Sequence, residues 1–416
     1  MRKLAENVFR KCLESVEPKM CVEKALQISA NYLSITNSKL DKIPISNSTN
    51  FVVIGFGKAV VGMSKGIIEK LPKNQTQIHL IAPKNQQGAQ NFGDNFEVNF
   101  AAPNNLPDED SVFYTEKLLE KIDELDSPQT IFIFLISGGG SALFCSPIDG
   151  VKLAEKLEII KILVKNGATI QQLNIVRQKL SKVKGGGLLK GIKKGKAISL
   201  IISDIIDNPL ELIANPTAEA PNLVQFQNHI ISSNSLALEA IYSNLPTNYS
   251  TQIITSSLSG NATEIGQEFA RILRSRNANF GDVFGAKIPD LKFPMALIFG
   301  GETTVILKGD GKGGRNQEMV LACLNELQNQ EIEYEFCFLS AGTDGQDGPT
   351  NAAGAIISNS DLLSEDLKTL PPSEFLANSD SWNFWRQFQQ GKCHLITGPT
   401  GTNVMDIQIL LIDRKQ

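Results

Sequence analysis

Six short apolar runs, at residues 51–54, 131–136, 197–202, 295–299, 336–339 and 407–412, constrain this chain more than any other feature. Each ends in a turn bearing glycine or aspartate. Several are apolar on both faces, as in a strand buried inside a sheet, whereas a strand at a solvated surface alternates. Segments with helical periodicity lie between them, for example 59–71 and 153–165. Strand–helix alternation predicts an α/β protein with mainly parallel sheets and functional residues at the C-terminal ends of strands. The opening stretch, to about residue 33, has helical spacing at Leu4, Val8, Phe9, Leu13 and Val16.

A chain of 416 residues suggests two domains. The expected division is an N-terminal domain over 1–240, a connecting region over 241–294 and a C-terminal domain over 295–416. The polar stretch 275–293, with Gly281 and Pro289, leads into the last of these, and a looser boundary falls near 223–231. Hydrophobic residues make up 42% and charged residues 20%, which suits a globular chain with a sizeable core. The net charge of −4 argues against a nucleic-acid binder or a polybasic membrane module. No apolar run approaches the ~20 residues that span a bilayer. An anionic substrate therefore needs a local positive site. The six cysteines show no CxxC spacing and read as reduced, mostly buried thiols. The three histidines have no spacing that supports a zinc site. The N-terminus is basic but contains Glu6, Glu14 and Glu17 and lacks an apolar core. A cytoplasmic location is expected, and the segment does not support a mitochondrial one.

Four glycine-rich turns follow or open these elements. Gly55-Phe56-Gly57-Lys58 leaves the run at 51–54 and opens a helix from Ala59. Its glycines let the backbone approach a ligand, and the helix start favours an anion. Lys58 is placed to reach a phosphate. The turn is not a Walker A loop, and Val60 stands where the dinucleotide fingerprint has its third glycine. Read alone, it is equally a tight turn with a surface lysine. Ser137-Gly138-Gly139-Gly140-Ser141 follows the run at 131–136 and forms a plausible anion nest. Lys184-Gly185-Gly186-Gly187 follows a basic run with Arg177, Lys179 and Lys182. Most of that run reads as a solvated face, with Arg177 or Lys184 able to line an anion site. Gly313-Gly314-Arg315 opens a helix over 316–327, where a guanidinium suits bidentate recognition of carboxylate or phosphate.

Asp204, Asp344, Asp347 and Asp406 lie in turns close to the apolar runs. Such aspartates are common turn formers. Converging on one cleft, they would supply oxygen ligands for Mg²⁺ and a group to take a hydroxyl proton. Mg²⁺ uses only one or two protein carboxylates, so not all four are ligands.

Seven motifs then stand in one order: GFGKA at 55–59, LISGGGSAL at 135–143, LNIVRQKLSKVKGGGL at 173–188, Ser203-Asp204, GGRNQE at 313–318, GTDGQDGPTNAAGA at 342–355 and TGPTGTN at 397–403. The chain resembles the class-II, MOFRL-type glycerate kinases over nearly its whole length. The resemblance implies a larger Rossmann-like α/β domain, a smaller MOFRL-type α/β domain from about Met295, and an active site in the cleft between them. It implies ATP as donor, D-glycerate as acceptor and Mg²⁺ as cofactor, in serine and glycerate carbon metabolism. 2-Phosphoglycerate is the expected product over 3-phosphoglycerate, and a homodimer is allowed for. The family's catalytic lysine matches Lys58 and its active-site arginine matches Arg315. Gly55, Gly57, Ser137, Gly138, Gly139, Gly140, Ser141, Asp347 and Asn403 are the expected phosphate or substrate contacts. Asp347 is expected to hold glycerate's hydroxyls or accept a proton from one, and at least one of Asp204 and Asp344 to ligate Mg²⁺ directly or through water.

Two departures are visible. An Ala-Ser-Gly-Pro-Thr turn is expected where the chain has Ala214-Asn215-Pro216-Thr217, and Asn261 stands where an acid is expected. Two rival readings remain at the level of sequence. A hydroxypyruvate reductase needs a nicotinamide pocket, yet no acidic residue is well placed for a ribose about 20 residues after the first turn. A non-catalytic nucleotide- or metabolite-binding protein has only the altered Asn215 turn in its favour.

Overall fold

The computed structural model describes residues 1–36, 42–86, 93, 95–103, 106–205, 226–274, 282–284, 286–287 and 292–415. These form two compact units. One contains residues 17–203 with the strand 226–232, and the other contains residues 1–16, Asp204 and the chain from 233 onward. The units do not follow the expected boundaries. Part of 241–294, read as a connection, instead supplies a strand and a helix to the second unit. The strand was hidden because its sequence, STQIITSSL, is largely polar and only partly buried. Helix α1 (Arg2–Ser15) also belongs to the second unit, where Arg2 pairs with the buried Asp361.

The first unit is built on β1 (Asn50–Phe56), β2 (Thr76–Pro83), β3 (Phe96–Ala101), β4 (Thr130–Ile136), β5 (Lys196–Ile202) and β6 (Phe226–Ser232). The order is β3-β2-β1-β4-β5-β6, and every neighbouring pair is parallel. The order reverses between β1 and β4, the position at which open parallel sheets place a binding crevice beyond the C-terminal strand ends. Register keeps those two strands level, with Phe56 opposite Ile136, so the turns that leave them start side by side. All of β4 is buried. A parallel strand covered on both faces needs no alternation, which explains the unbroken apolar run. Val52, Ile54, Phe132 and Phe134 are core residues here, each contributing roughly 1.5–3 kcal/mol by burial. The helices that matter below are α2 (Pro18–Ala25), α3 (Val60–Lys70), the single turn α4 (Gly140–Leu143), α5 (Leu153–Lys165) and α6 (Ile170–Lys179).

The opening helical stretch is shorter than its periodicity suggested. Helix α1 stops at Ser15, and Pro18, which lacks a backbone donor, starts α2 afresh. After Ala25 the chain makes a small antiparallel sheet from Leu26–Ile28, Tyr32–Ile35 and Ile43–Pro44.

The second unit holds β7 (Ser250–Leu258), β8 (Met295–Gly301), β9 (Tyr334–Gly342), β10 (Gly354–Ser358), β11 (His394–Leu395) and β12 (Asp406–Arg414), with helices α7 (Asn234–Asn244), α8 (Ala262–Arg274) and α9 (Arg315–Leu327). Its sheet order is β7-β8-β12-β9-β10-β11. Only β7–β8 is parallel, and the other pairs are antiparallel. This corrects the expectation of mainly parallel sheets. A strand buried on both faces has the same apolar composition in either direction, so the runs could not report it. The antiparallel entry of β12 places its first residue, Asp406, between the last residues of β8 and β9, Gly301 and Gly342. Phe269 anchors the core, with ring centroids 5.0 Å from Phe299 and 4.3 Å from Phe338. All six cysteines are buried and none is in a disulfide. Among the described residues no helix is long and apolar enough to cross a membrane.

Candidate active site

Three glycine-rich turns come together in the first unit. Gly57 has φ +139°, a conformation that side chains disfavour. A Cβ there would lie 2.2 Å from Ser137 Oγ and 2.7 Å from Ser137 O. Glycine is therefore required by the close approach of the second turn. Lys58 N donates to Gly138 O at 2.9 Å, and Ala59 N donates to Ser137 Oγ at 3.0 Å. Gly139 takes φ +77°, and a Cβ on it would stand 3.3 Å from Lys58 Cγ and Cε, so the lysine side chain runs across the nest. The amides of Gly138 and Gly139 have no acceptor among the described residues. Helix α3 has no side-chain cap. From the third turn, Lys184 Nζ donates to Ser141 Oγ at 2.9 Å. Open amides, an uncapped helix start and two ammonium groups are the donor types that suit anionic oxygens. Gly57→Ala should lose roughly 1–3 kcal/mol from backbone strain alone, with the Ser137 contact adding to it. Urea unfolding measures this, and an unchanged midpoint would contradict the packing just described.

The second unit gathers carboxylates around Arg315. Arg315 is the first residue of α9, after the N-cap Gly314. Its Nε and Nη2 donate to the two oxygens of Asp406, the latter at 2.8 Å. Glu302 Oε1 lies 3.2 Å from Nη1. Asp406 is fully buried, while the Arg315 side chain is 25% exposed, so N–H groups on Nη1 and Nη2 remain for a further oxygen. Burial pulls the Arg315 pKa down, but Asp406 and then Glu302 more than offset this and leave it raised. Burial lifts Glu302 above the usual carboxylate range. Arg315 opposes that lift, and the charges of Asp406, Asp204 and Asp344 reinforce it.

Hydrogen bonds stitch the neighbouring loops together. Thr343 Oγ1 donates to Met405 O at 2.7 Å and accepts from Val404 N at 2.9 Å. Thr400 Oγ1 donates to Thr343 O at 2.6 Å. The GTDGQDG and TGPTGTN segments are thus one structure.

Residues 4–244 match the family described as Domain of unknown function (DUF4147), and residues 295–406 match the MOFRL family. A D-glycerate 2-kinase of Thermotoga maritima is 32% identical, over 99% of this chain and 98% of that protein. The chain belongs to the MOFRL-type glycerate kinase family. An uncharacterized protein of Caenorhabditis elegans is 49% identical, with 99% of each chain covered. A crystal structure of a Thermotoga maritima glycerate kinase superposes with a TM-score of 0.82 at 32% identity, covering 99% of both chains.

The site residues expected of a glycerate kinase divide between the units. Gly55, Gly57, Lys58 and Ser137 through Ser141 lie in the first, and Asp204, Arg315, Asp344, Asp347 and Asn403 in the second. Asp344 Oδ1 accepts from Gln346 N at 3.0 Å. Asn403 Oδ1 accepts from Met405 N at 3.0 Å and so supports Met405, whose φ is +67°, just before Asp406.

Asp347, expected to bind substrate, is fully buried and has both oxygens engaged. Oδ1 accepts from Asn316 N and Nδ2, and Oδ2 from Gln317 N and Nε2. It caps α9 from a distant loop, and burial pushes its carboxyl up to about 6. This geometry gives Asp347 a structural role and leaves no lone pair pointed at a ligand. The start of α9 is therefore already occupied by a carboxylate, unlike that of α3.

Glu302 and Lys156 were not among the expected site residues, whereas Asp406 and Lys184 were among the candidates. Gly300-Gly301-Glu302, at the end of β8, repeats the pattern of glycines where a strand ends and could have pointed to Glu302. Asn261 performs a capping task without an acid, since its Oδ1 accepts from Thr263 N at 2.9 Å and Glu264 N at 3.2 Å. The turn at 214–217 lies outside the described residues.

Proposed function

We propose that this chain transfers the γ-phosphoryl of ATP to D-glycerate and forms 2-phosphoglycerate. The observation that carries this reading is Lys58 lying across the Ser137–Ser141 nest at the switch point between β1 and β4. Phosphoryl transfer asks a protein mainly for positioning and charge stabilisation. The nest amides and Lys58 suit the phosphate oxygens, and Arg315, with N–H groups to spare, suits a carboxylate or the transferring group. The regiochemistry follows the name of the Thermotoga relative, D-glycerate 2-kinase.

Mg²⁺ is part of the proposal. Among the described residues no three His, Cys, Asp or Glu side chains are grouped to hold a metal by themselves. Mg²⁺ typically takes one or two carboxylates and completes its shell with phosphates and water, so a pair of aspartates fits it. Asp204 and Asp344, whose negative charges both bear on Glu302, are the residues that would hold it. When bound, the ion neutralises phosphate charge.

A reductase reading is weaker. The position of the third fingerprint glycine is Val60, fully buried at the start of α3. The expected result is ADP release that requires D-glycerate and stops when EDTA removes the metal. NADH oxidation with hydroxypyruvate, in the absence of glycerate-dependent ADP release, would overturn the proposal.

A further inference from the structure

Among the described residues, the first unit holds cations that lack counter-ions. Lys156, on α5, is 5% exposed, and its Nζ lies 3.4 Å from Cys145 Sγ. Lys184 Nζ donates to Ser141 Oγ. Arg177, in the last turn of α6, reaches Asn174 Oδ1 at 3.3 Å. Among the described residues none of the three pairs with a carboxylate. Nearby Lys182 shows the ordinary alternative, an ion pair with Asp149 at 2.7 Å. Removing an ammonium from water costs several kcal/mol unless an anion compensates. Here the neighbours make matters worse. Burial first, then Lys156 and Arg177, hold Lys184 down to about 8. Among the described residues no carboxylate compensates these charges, and a ligand oxyanion could do so.

We propose that Lys184 and Ser141, backed by Lys156 and Arg177, form an oxyanion subsite beside the glycine nest, with Lys184 as its specificity-determining cation. The identity of its ligand rests on the phosphoryl-transfer reading: an oxyanion carried either as nucleotide phosphate or as the carboxylate of glycerate. Ser141 is the last residue of the nest, so the subsite continues the row of donors that Lys58 begins. Ser141 bonds Lys184, the charges of Lys156, Cys145 and Arg177 bear on it, and these residues come from separate segments of the unit.

The test is titration calorimetry on the full-length chain with ATP, with D-glycerate and with inorganic phosphate, for the parent, Lys184→Met and Lys184→Arg. Losing one charge-assisted hydrogen bond should weaken binding by roughly tenfold or more in Lys184→Met, and Lys184→Arg should recover most of it. Weaker ATP and phosphate binding assigns the subsite to phosphate, and weaker D-glycerate binding assigns it to the carboxylate. Parent affinity should fall as pH rises above about 8, where Lys184 loses its proton, and Lys184→Arg should remove that fall. Lys184→Met should melt no lower than the parent, because an uncompensated cation has been removed. Unchanged affinity for all three ligands would overturn the subsite. So would equal losses in both variants with lowered melting, which marks a structural lysine. Because binding is read without turnover, a parent that binds these ligands yet makes no product fails the kinase reading alone.

Discussion

Lys58→Ala should lower kcat by roughly 10²–10³, the loss expected when one transition-state donor is removed. The argument starts from the turn. Gly57 and Gly139, both at positive φ, let two strand ends approach until Lys58 N bonds Gly138 O. That contact fixes the lysine backbone and directs its side chain over the nest. An ammonium held there meets the phosphate charge as it develops without having to be recruited. The side chain itself makes no ion pair among the described residues, so its removal leaves no buried partner exposed to loss. The variant should fold as the parent does by circular dichroism. Retention of more than about a third of parental kcat, far from a donor's loss, would remove Lys58 from the mechanism.

Arg315→Ala should have a double effect. Asp406 is fully buried and meets the guanidinium through both oxygens. Truncating the arginine leaves that carboxylate buried and uncompensated, a cost of roughly 3–5 kcal/mol. It should also reduce kcat by roughly 10²–10³ if the remaining N–H groups serve the transferring phosphoryl. The two effects separate in Arg315→Ala combined with Asp406→Asn. Neutralising the stranded carboxylate should restore most of the stability and none of the turnover. Chemical denaturation and saturating kinetics on the same preparations read both. A double variant with parental turnover would show that Arg315 serves only to neutralise Asp406.

Much of this was legible in the chain. The runs at 131–136 and 295–299 read as buried strands because a strand covered on both faces admits no polar residues. The first turn and the nest were legible because a strand, a cluster of glycines and a helix start occur together. Direction was not: β12 has the same composition whether parallel or antiparallel, and its antiparallel entry is what delivers Asp406 to Arg315. Asp347 resembled a ligand because its capping partners, Asn316 and Gln317, lie far from it in sequence and no local capping pattern reveals them. The basic run left Arg177 and Lys184 as equal candidates for an anion site, and the contact of Lys184 with Ser141, which joins residues 43 positions apart, could not be read from it.

Phosphorus NMR of a reaction containing this chain, ATP, Mg²⁺ and D-glycerate tests the central claim most directly. ATP resonances should give way to ADP and to a monoester whose proton coupling places the phosphate on the secondary hydroxyl, as in 2-phosphoglycerate. A monoester on the primary hydroxyl would contradict the regiochemistry, and an unchanged ATP spectrum would contradict the activity itself.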